Sequence, residues 1–291
     1  GDRTRSFLKV QDGCDYKCSF CTIPQARGAS RSDTVESVLK NARDIAAKGV
    51  KEIVLTGVNL GDFGNGTEVI EGVKPRKEAL FADLVQALEQ VEDIARFRIS
   101  SIEPNLLTDE IIRFVAESQR FMPHFHVPLQ SGNDKQLREM RRRYRRELYA
   151  ERVSTIKQRM PHACIGCDVI VGFPGETEAD FMESYQFLQN LDISYLHVFT
   201  YSERANTPAA DLQGAVPLEE RRRRNQALRG LSEMKRRTFY AEHADSLRPV
   251  LFEQHKATGL MTGFTDNYVK VEMPFDAAPL TTIAPVLLGQ L

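Results

Sequence analysis

The sequence predicts an α/β protein, a six-strand open sheet or partial (β/α)6 barrel followed by a small antiparallel β module. Two observations predict it. From Phe7 to about Tyr201, strand-like runs alternate with amphipathic helical ones, the pattern of βαβ units and a parallel sheet. After Pro217 that alternation stops, and one long charged helix is followed by short strands with Gly and Asn-Asp punctuation. Six strands are too few for a closed eight-stranded barrel. In an open sheet or partial barrel, ligands gather at the C-terminal ends of the strands.

In chain order, the strand-like runs are Phe7 to Gln11, Glu52 to Thr56, Arg96 to Ser100, His124 to Val127, Ile165 to Val171 and Tyr195 to Tyr201. Between them, Val35, Val38, Leu39, Ala42, Ile45 and Ala46 keep the 3.6-residue period of one buried helix face. Leu80, Leu84, Val85 and Leu88 do the same, as do Leu137, Met140 and Tyr144. Thr177-Glu178-Ala179-Asp180 reads as a capping box, and Thr108 followed by Asp109 and Glu110 puts acids at a helix N-terminus. The stretch Gly61 to Lys77, rich in Gly and charge, predicts a long loop at the ligand-binding end. Leu218 to about His243 predicts a helix carrying Arg221-Arg222-Arg223-Arg224 and Lys235-Arg236-Arg237. The boundaries expected are a core over 1–216, a connecting helix over 217–245 and a β module over 246–291.

With 39 Lys+Arg against 40 Asp+Glu, the chain is not a globally basic nucleic-acid coat, although local basic patches remain open to it. No apolar run reaches the length of a membrane span, and the start has no apolar signal region. Five cysteines, an odd number, fit a reducing, cytoplasmic setting.

Cys14, Cys18 and Cys21 stand at C-x3-C-x2-C spacing just after the first strand. A zinc site would recruit a fourth Cys or His nearby, and none follows within the next hundred residues. Iron–sulfur clusters usually take four thiolates, so three leave one iron open to a non-protein ligand. A three-cysteine zinc site and chance clustering stay open at this point. Cys164 and Cys167, three apart on a strand, face opposite sides and read as small buried hydrophobes. His124 and His126 share a strand face, where packing is favoured over a metal pair. His197 and His255 read as isolated.

The triplet, with Phe20 before its third cysteine, resembles the radical S-adenosylmethionine (SAM) superfamily. The resemblance implies a [4Fe-4S] cluster on the three cysteines, with SAM chelating the open iron and an electron donor driving its cleavage to a 5′-deoxyadenosyl radical. It also implies SAM contacts at Phe20, Asn59, Ser100, Ser101, Glu103, Gln130 and Arg143, and at Gly172-Phe173-Pro174. Arg143 would take the carboxylate, Phe20 the adenine edge, and the glycine would let backbone approach the adenine. Asn59 stands where many relatives carry an acid. No catalytic residue beyond cluster and SAM is assigned.

Further along, Pro24 to Ser32 is similar to the Pro-x-x-Arg-Gly segment of the methylthiotransferases, which place Arg27 and Arg31 near the substrate. Ser101-Ile102-Glu103-Pro104-Asn105, Met140 to Tyr144 and Tyr201-Ser202-Glu203-Arg204 look like the branch acting on threonylcarbamoyladenosine next to a tRNA anticodon. Ala205-Asn206-Thr207 departs from the usual Pro-Gly-Thr there, which puts Arg204 and Thr207 in doubt. The β module resembles a TRAM domain. Arg141, Arg142 and Arg145, with Arg138 and Arg146 beside them, are the expected contacts to the anticodon loop; Arg221–Arg224 divide between RNA contact and a solvated helix face. The resemblance further implies a preceding domain with a second [4Fe-4S] cluster on three other cysteines. The chain, which opens at Gly1 without Met, is therefore expected to be a fragment lacking it. Two alternatives are an isopentenyladenosine-type methylthiotransferase and a non-catalytic iron–sulfur RNA-binding module.

Overall fold

A computed structural model describes residues 4–65, 80–255, 259–277 and 282–289. The strands of the core are β1 (Arg5–Lys9), β2 (Gln11–Asp12), β3 (Arg31–Ser32), β4 (Glu52–Thr56), β5 (Arg96–Ile99), β6 (His124–His126), β7 (Cys164–Val171) and β8 (Tyr195–Thr200). Six of them form two parallel three-stranded sheets, β1-β4-β5 and β6-β7-β8. Parallel bridges Phe97–Phe121 and Ser101–His126 join the two, giving an open barrel whose edges are β1 and β8. β2 and β3 are a two-residue antiparallel pair that the expected single strand through Gln11 did not anticipate.

Strand alternation sorts the two faces. Leu8, Ile53, Leu55, Phe97, Phe125, Ile165, Cys167 and Val169 point outward into one buried core with the helices. The inner face carries Arg5, Phe7, Glu52, Val54, Arg96, Arg98, His124, His126, Asp168, Tyr195 and His197, several of them around a cavity of about 250 Å³. Helices α1 (Ile23–Arg27), α2 (Val35–Ala46), α3 (Phe81–Glu89), α4 (Asp109–Glu117), α5 (Asp134–Glu139), α6 (Arg146–Arg159) and α7 (Glu178–Asn190) precede α8 (Leu218–Glu242). The sequence caps are present: the Thr108 hydroxyl accepts from Ile111 N–H, and Thr177 and Asp180 form a reciprocal capping box. One helical expectation changes. Leu137, Met140 and Tyr144 do not share a helix, because Arg141 turns left-handed at φ 56° and separates α5 from α6. Of the expected Gly61–Lys77 loop, the part beyond residue 65 lies outside the described residues.

The tail is a four-stranded antiparallel sheet, ordered β11 (Lys270–Pro274), β10 (Leu260–Thr265), β9 (Leu247–His255), β12 (Ile283–Leu287). It docks on the N-terminal ends of the barrel strands. Arg96 donates to the carbonyls of Phe264 and Pro249, and Arg98 to those of Asp266 and Thr265. Both arginines flank Glu52, which is fully buried and also 3.0 Å from Arg5. Burial pulls Arg96 down to about 10, and its carboxylate neighbour works against that shift. Cys164 and Cys167 are buried and unpaired as disulfides, and burial pushes each thiol up to about 12. No helix of the described residues is long and apolar enough to cross a membrane.

Candidate active site

The cysteine loop begins where β2 ends, on the C-terminal side of the barrel. Gly13 turns it at φ +71°, and a Cβ there would lie 2.0 Å from the Ala29 carbonyl oxygen, so only glycine fits. Gln11, buried beneath, donates to the carbonyls of Asp12 and Gly13 and accepts from the N–H groups of Val58 and Asn59. It thereby ties the loop to the end of β4. Ser19 anchors the far side: its hydroxyl donates to Glu139 O, its N–H to Met140 O, and its carbonyl accepts from Ala209. Neither Gln11 nor Ser19 stands out in the sequence, since their partners come from remote elements. Gly13 does carry a signal, a glycine directly before the first cysteine.

Each cysteine sulfur receives a hydrogen bond. Tyr16 N–H reaches Cys14 Sγ at 3.4 Å, Ile23 N–H reaches Cys21 Sγ at 3.4 Å, and Arg142 Nη1 reaches Cys18 Sγ at 3.1 Å. Burial pushes the Cys14 thiol up to about 11 and raises Cys18 as well, with Arg142 opposing the latter. Thiols in this state give up their protons to a bound metal centre. Among the described residues, the groups whose ligand atoms all lie within 4.8 Å of one another do not include this triplet. The spacing therefore suits a multi-iron cluster better than one ion.

Arg142 corrects an expectation. Read from sequence as an RNA contact, it is instead sealed into this site with its side chain 4% exposed. It ion-pairs with Glu103 and donates to Tyr144 Oη at 3.0 Å as well as to Cys18. Glu103, expected as a SAM contact, is thus held by Arg142. Arg143, expected at a carboxylate, stacks on the Tyr16 ring at 4.1 Å and donates to Asp15 O. Tyr16 Oη in turn accepts from Asn105 Nδ2 at 2.7 Å.

The remaining expected positions divide between the cysteine loop and the inner face of the barrel. Asn59 is buried, and its side-chain oxygen and nitrogen both lack a hydrogen-bond partner, an unmet polar pair beside the cysteines. Phe20 meets Phe173 edge-on at 6.4 Å, and Phe173 meets Tyr201 at 5.3 Å. Phe173 is fully buried and Pro174 is buried with it. A Cβ at Gly172 would strike Arg221 Cγ at 2.3 Å, so its missing side chain admits an arginine. Gln130, at φ 73°, bridges to Val169. Ser100 N–H bonds Leu55 O, whereas the Ser101 hydroxyl turns to His126 Nδ1 at 2.6 Å.

Of the expected RNA arginines, Arg138, Arg141 and Arg145 are exposed, and Arg138 and Arg145 line a cleft of about 460 Å³ with Lys135, Arg142 and Arg143. Arg27 and Arg31 are exposed but ion-paired with Asp12, whose carboxyl is held low by the Gly13 N–H and Lys9. Arg204 is exposed on the loop after β8, where its carbonyl accepts from Thr207 Oγ1. The Arg221–Arg224 run is neither wholly solvated nor wholly free for RNA. Arg221 is buried against Glu203, Tyr201 O and Val216 O, and Arg224 is buried against Glu176. One further expectation changes at the inner face: His197 is not isolated but sits beside His126, ring centroids 5.4 Å apart; His124 packs as expected, on Tyr268 at 4.0 Å.

Comparison with known proteins gives concordant results. The family described as the Radical SAM superfamily matches residues 8–188. A threonylcarbamoyladenosine tRNA methylthiotransferase of Bacillus subtilis is 40% identical over 93% of this chain and 59% of its own length. A tRNA-2-methylthio-N(6)-dimethylallyladenosine synthase of Desulfitobacterium hafniense is 30% identical over 98% of the chain and 63% of its own. The chain thus spans about three fifths of these relatives. Among solved structures, a radical SAM methyltransferase from Kitasatospora setae superposes with TM-score 0.56 at 16% identity, covering 70% of this chain and 35% of that one. Coproporphyrinogen III oxidase of Escherichia coli gives 0.54 at 13% identity, covering 80% of this chain and 53% of that one.

Proposed function

The chain belongs to the radical SAM superfamily, and from that premise we propose that it is the radical-generating core of a tRNA methylthiotransferase acting on threonylcarbamoyladenosine beside the anticodon. The observation that carries the chemistry is the cysteine loop at the barrel's C-terminal side, with a hydrogen bond to each sulfur and Arg142 on Cys18. Cys14, Cys18 and Cys21 would hold a [4Fe-4S] cluster. Bound together, cluster and SAM supply the one-electron chemistry that activates a C–H bond.

The chain's own residues do the rest. Arg142 places a fixed positive charge against the cluster ligands and is itself held by Glu103. Asn59 offers an unmet amide to a polar group of SAM. Phe20 and Phe173 wall one side of the loop against water. The exposed Arg138, Arg141 and Arg145 would meet phosphates of a single-stranded loop, and the tail would be a TRAM-like RNA-binding module. The branch is supported by 40% identity to the threonylcarbamoyladenosine enzyme against 30% to the dimethylallyladenosine enzyme.

After anaerobic reconstitution and dithionite reduction, added SAM is expected to yield 5′-deoxyadenosine in the parent and none in Cys18→Ala. Equal product in both would remove the enzymatic reading and favour an iron–sulfur RNA-binding module. For the branch, a strain deleted for the gene encoding this chain is expected to lose methylthio-threonylcarbamoyladenosine from digested tRNA, read by mass spectrometry. Loss of methylthio-isopentenyladenosine instead would reassign it.

A further inference from the structure

The inner face of the barrel carries a second constellation, separate from the cysteines. Strand register creates it. Ser101 bridges to His126, His126 pairs with Gly166, and Asp168, two residues on, pairs with His197. Partners in parallel strands point the same way and residues two apart on a strand share a face, so Ser101 just beyond β5, His126 of β6, Asp168 of β7 and His197 of β8 all face the interior, in two successive rows. Gly166 leaves room within the first row, since a Cβ there would meet the Tyr195 ring at 2.3 Å.

One ligand atom each from His126, Asp168 and His197 lie within 4.8 Å of one another. His126 Nε2 is 3.1 Å from Asp168 Oδ1, yet buried Nε2 has no hydrogen bond of acceptable geometry. On the other side of the ring, Nδ1 is 2.6 Å from Ser101 Oγ. In the tautomer whose Nδ1–H donates to that oxygen, the Nε2 lone pair faces the carboxylate. In that tautomer both atoms are free to ligate one cation. Ser101 then does what partners of metal-bound histidines do, fixing tautomer and ring orientation.

We propose that His126, Asp168 and His197 bind a divalent first-row transition metal inside the barrel. Two imidazoles and a carboxylate match the preferences of Zn2+, Co2+ and Fe2+. Three protein ligands leave positions open toward the cavity of about 250 Å³, where an oxygen of a bound ligand would complete the shell. This metal site does not depend on which nucleoside is the substrate.

Co2+ titration tests it in the full chain carrying Cys14→Ala, Cys18→Ala and Cys21→Ala, with circular dichroism checking the fold. The expected result is one Co2+ per chain, with ligand-field absorption and no sulfur-to-metal charge transfer, displaced by Zn2+. His197→Ala and Asp168→Asn should each weaken binding by on the order of a hundredfold, and Ser101→Ala by about tenfold. Zn2+ should also raise the thermal midpoint of the triple variant and not of the triple variant that also carries His197→Ala. No binding in the folded triple variant, or equal affinity in His197→Ala, overturns the proposal. Should the triple variant not fold, the cluster-loaded chain serves. Elemental analysis then reads zinc separately from iron, and zinc retained equally by His197→Ala overturns it.

Discussion

Arg142 and Arg143 are adjacent in sequence and opposite in environment. One is buried between Cys18 and Glu103, and the other is exposed over Tyr16. A buried guanidinium beside a cluster favours the state with the extra electron. Arg142→Ala should therefore make the cluster's midpoint potential more negative, by about 60 mV if one charge-assisted hydrogen bond of about 1.5 kcal/mol is removed. An EPR-monitored redox titration reads this, and Arg143→Ala should leave the potential within about 20 mV, a fraction of that hydrogen bond. Sequence could not separate the two arginines. They follow a left-handed Arg141, and outside a regular helix no period says which neighbour turns inward. The cysteines, by contrast, stood out because their spacing is local in sequence, and the family resemblance then favoured a cluster over zinc.

At the scale of elements, the six core strands were legible because alternation and turn residues are local properties. The glutamate–arginine knot of Glu52, Arg96 and Arg98 and the cluster of His126, Asp168 and His197 were not, because both depend on register between strands. The basic runs divide the same way. Within α8, Arg221 and Arg224 are structural, whereas Arg222 is exposed. Between α5 and α6, Arg138, Arg141 and Arg145 remain at the surface. Joint replacement of those three by alanine should weaken tRNA binding and flatten the dependence of log K on log salt, by roughly 0.7 for each single-strand phosphate no longer neutralised. Filter binding across a salt series checks it, and Arg221→Ala should leave the slope unchanged while lowering thermal stability.

For the whole molecule, barrel and tail meet at a buried charge cluster in which Glu52 is the carboxylate among Arg5, Arg96 and Arg98. Removing one partner of a buried ion cluster is costly because the others are left without compensation. Glu52→Gln should therefore destabilise the protein by about 3 kcal/mol, seen as a lower urea midpoint, while exposed Arg222→Ala leaves the midpoint in place.

The way β5 grips the tail has an evolutionary consequence. All four hydrogen bonds from Arg96 and Arg98 end on main-chain carbonyls, those of Pro249, Phe264, Thr265 and Asp266. Every residue type carries such a carbonyl. These four bonds thus follow the path of the tail's backbone, while Tyr268 on His124 and Asn267 on the His162 carbonyl add side-chain contacts. Mutation can rewrite the outward side of this module without unlearning how to attach. The surface free to diversify and the surface obliged to stay put are separated by chemistry.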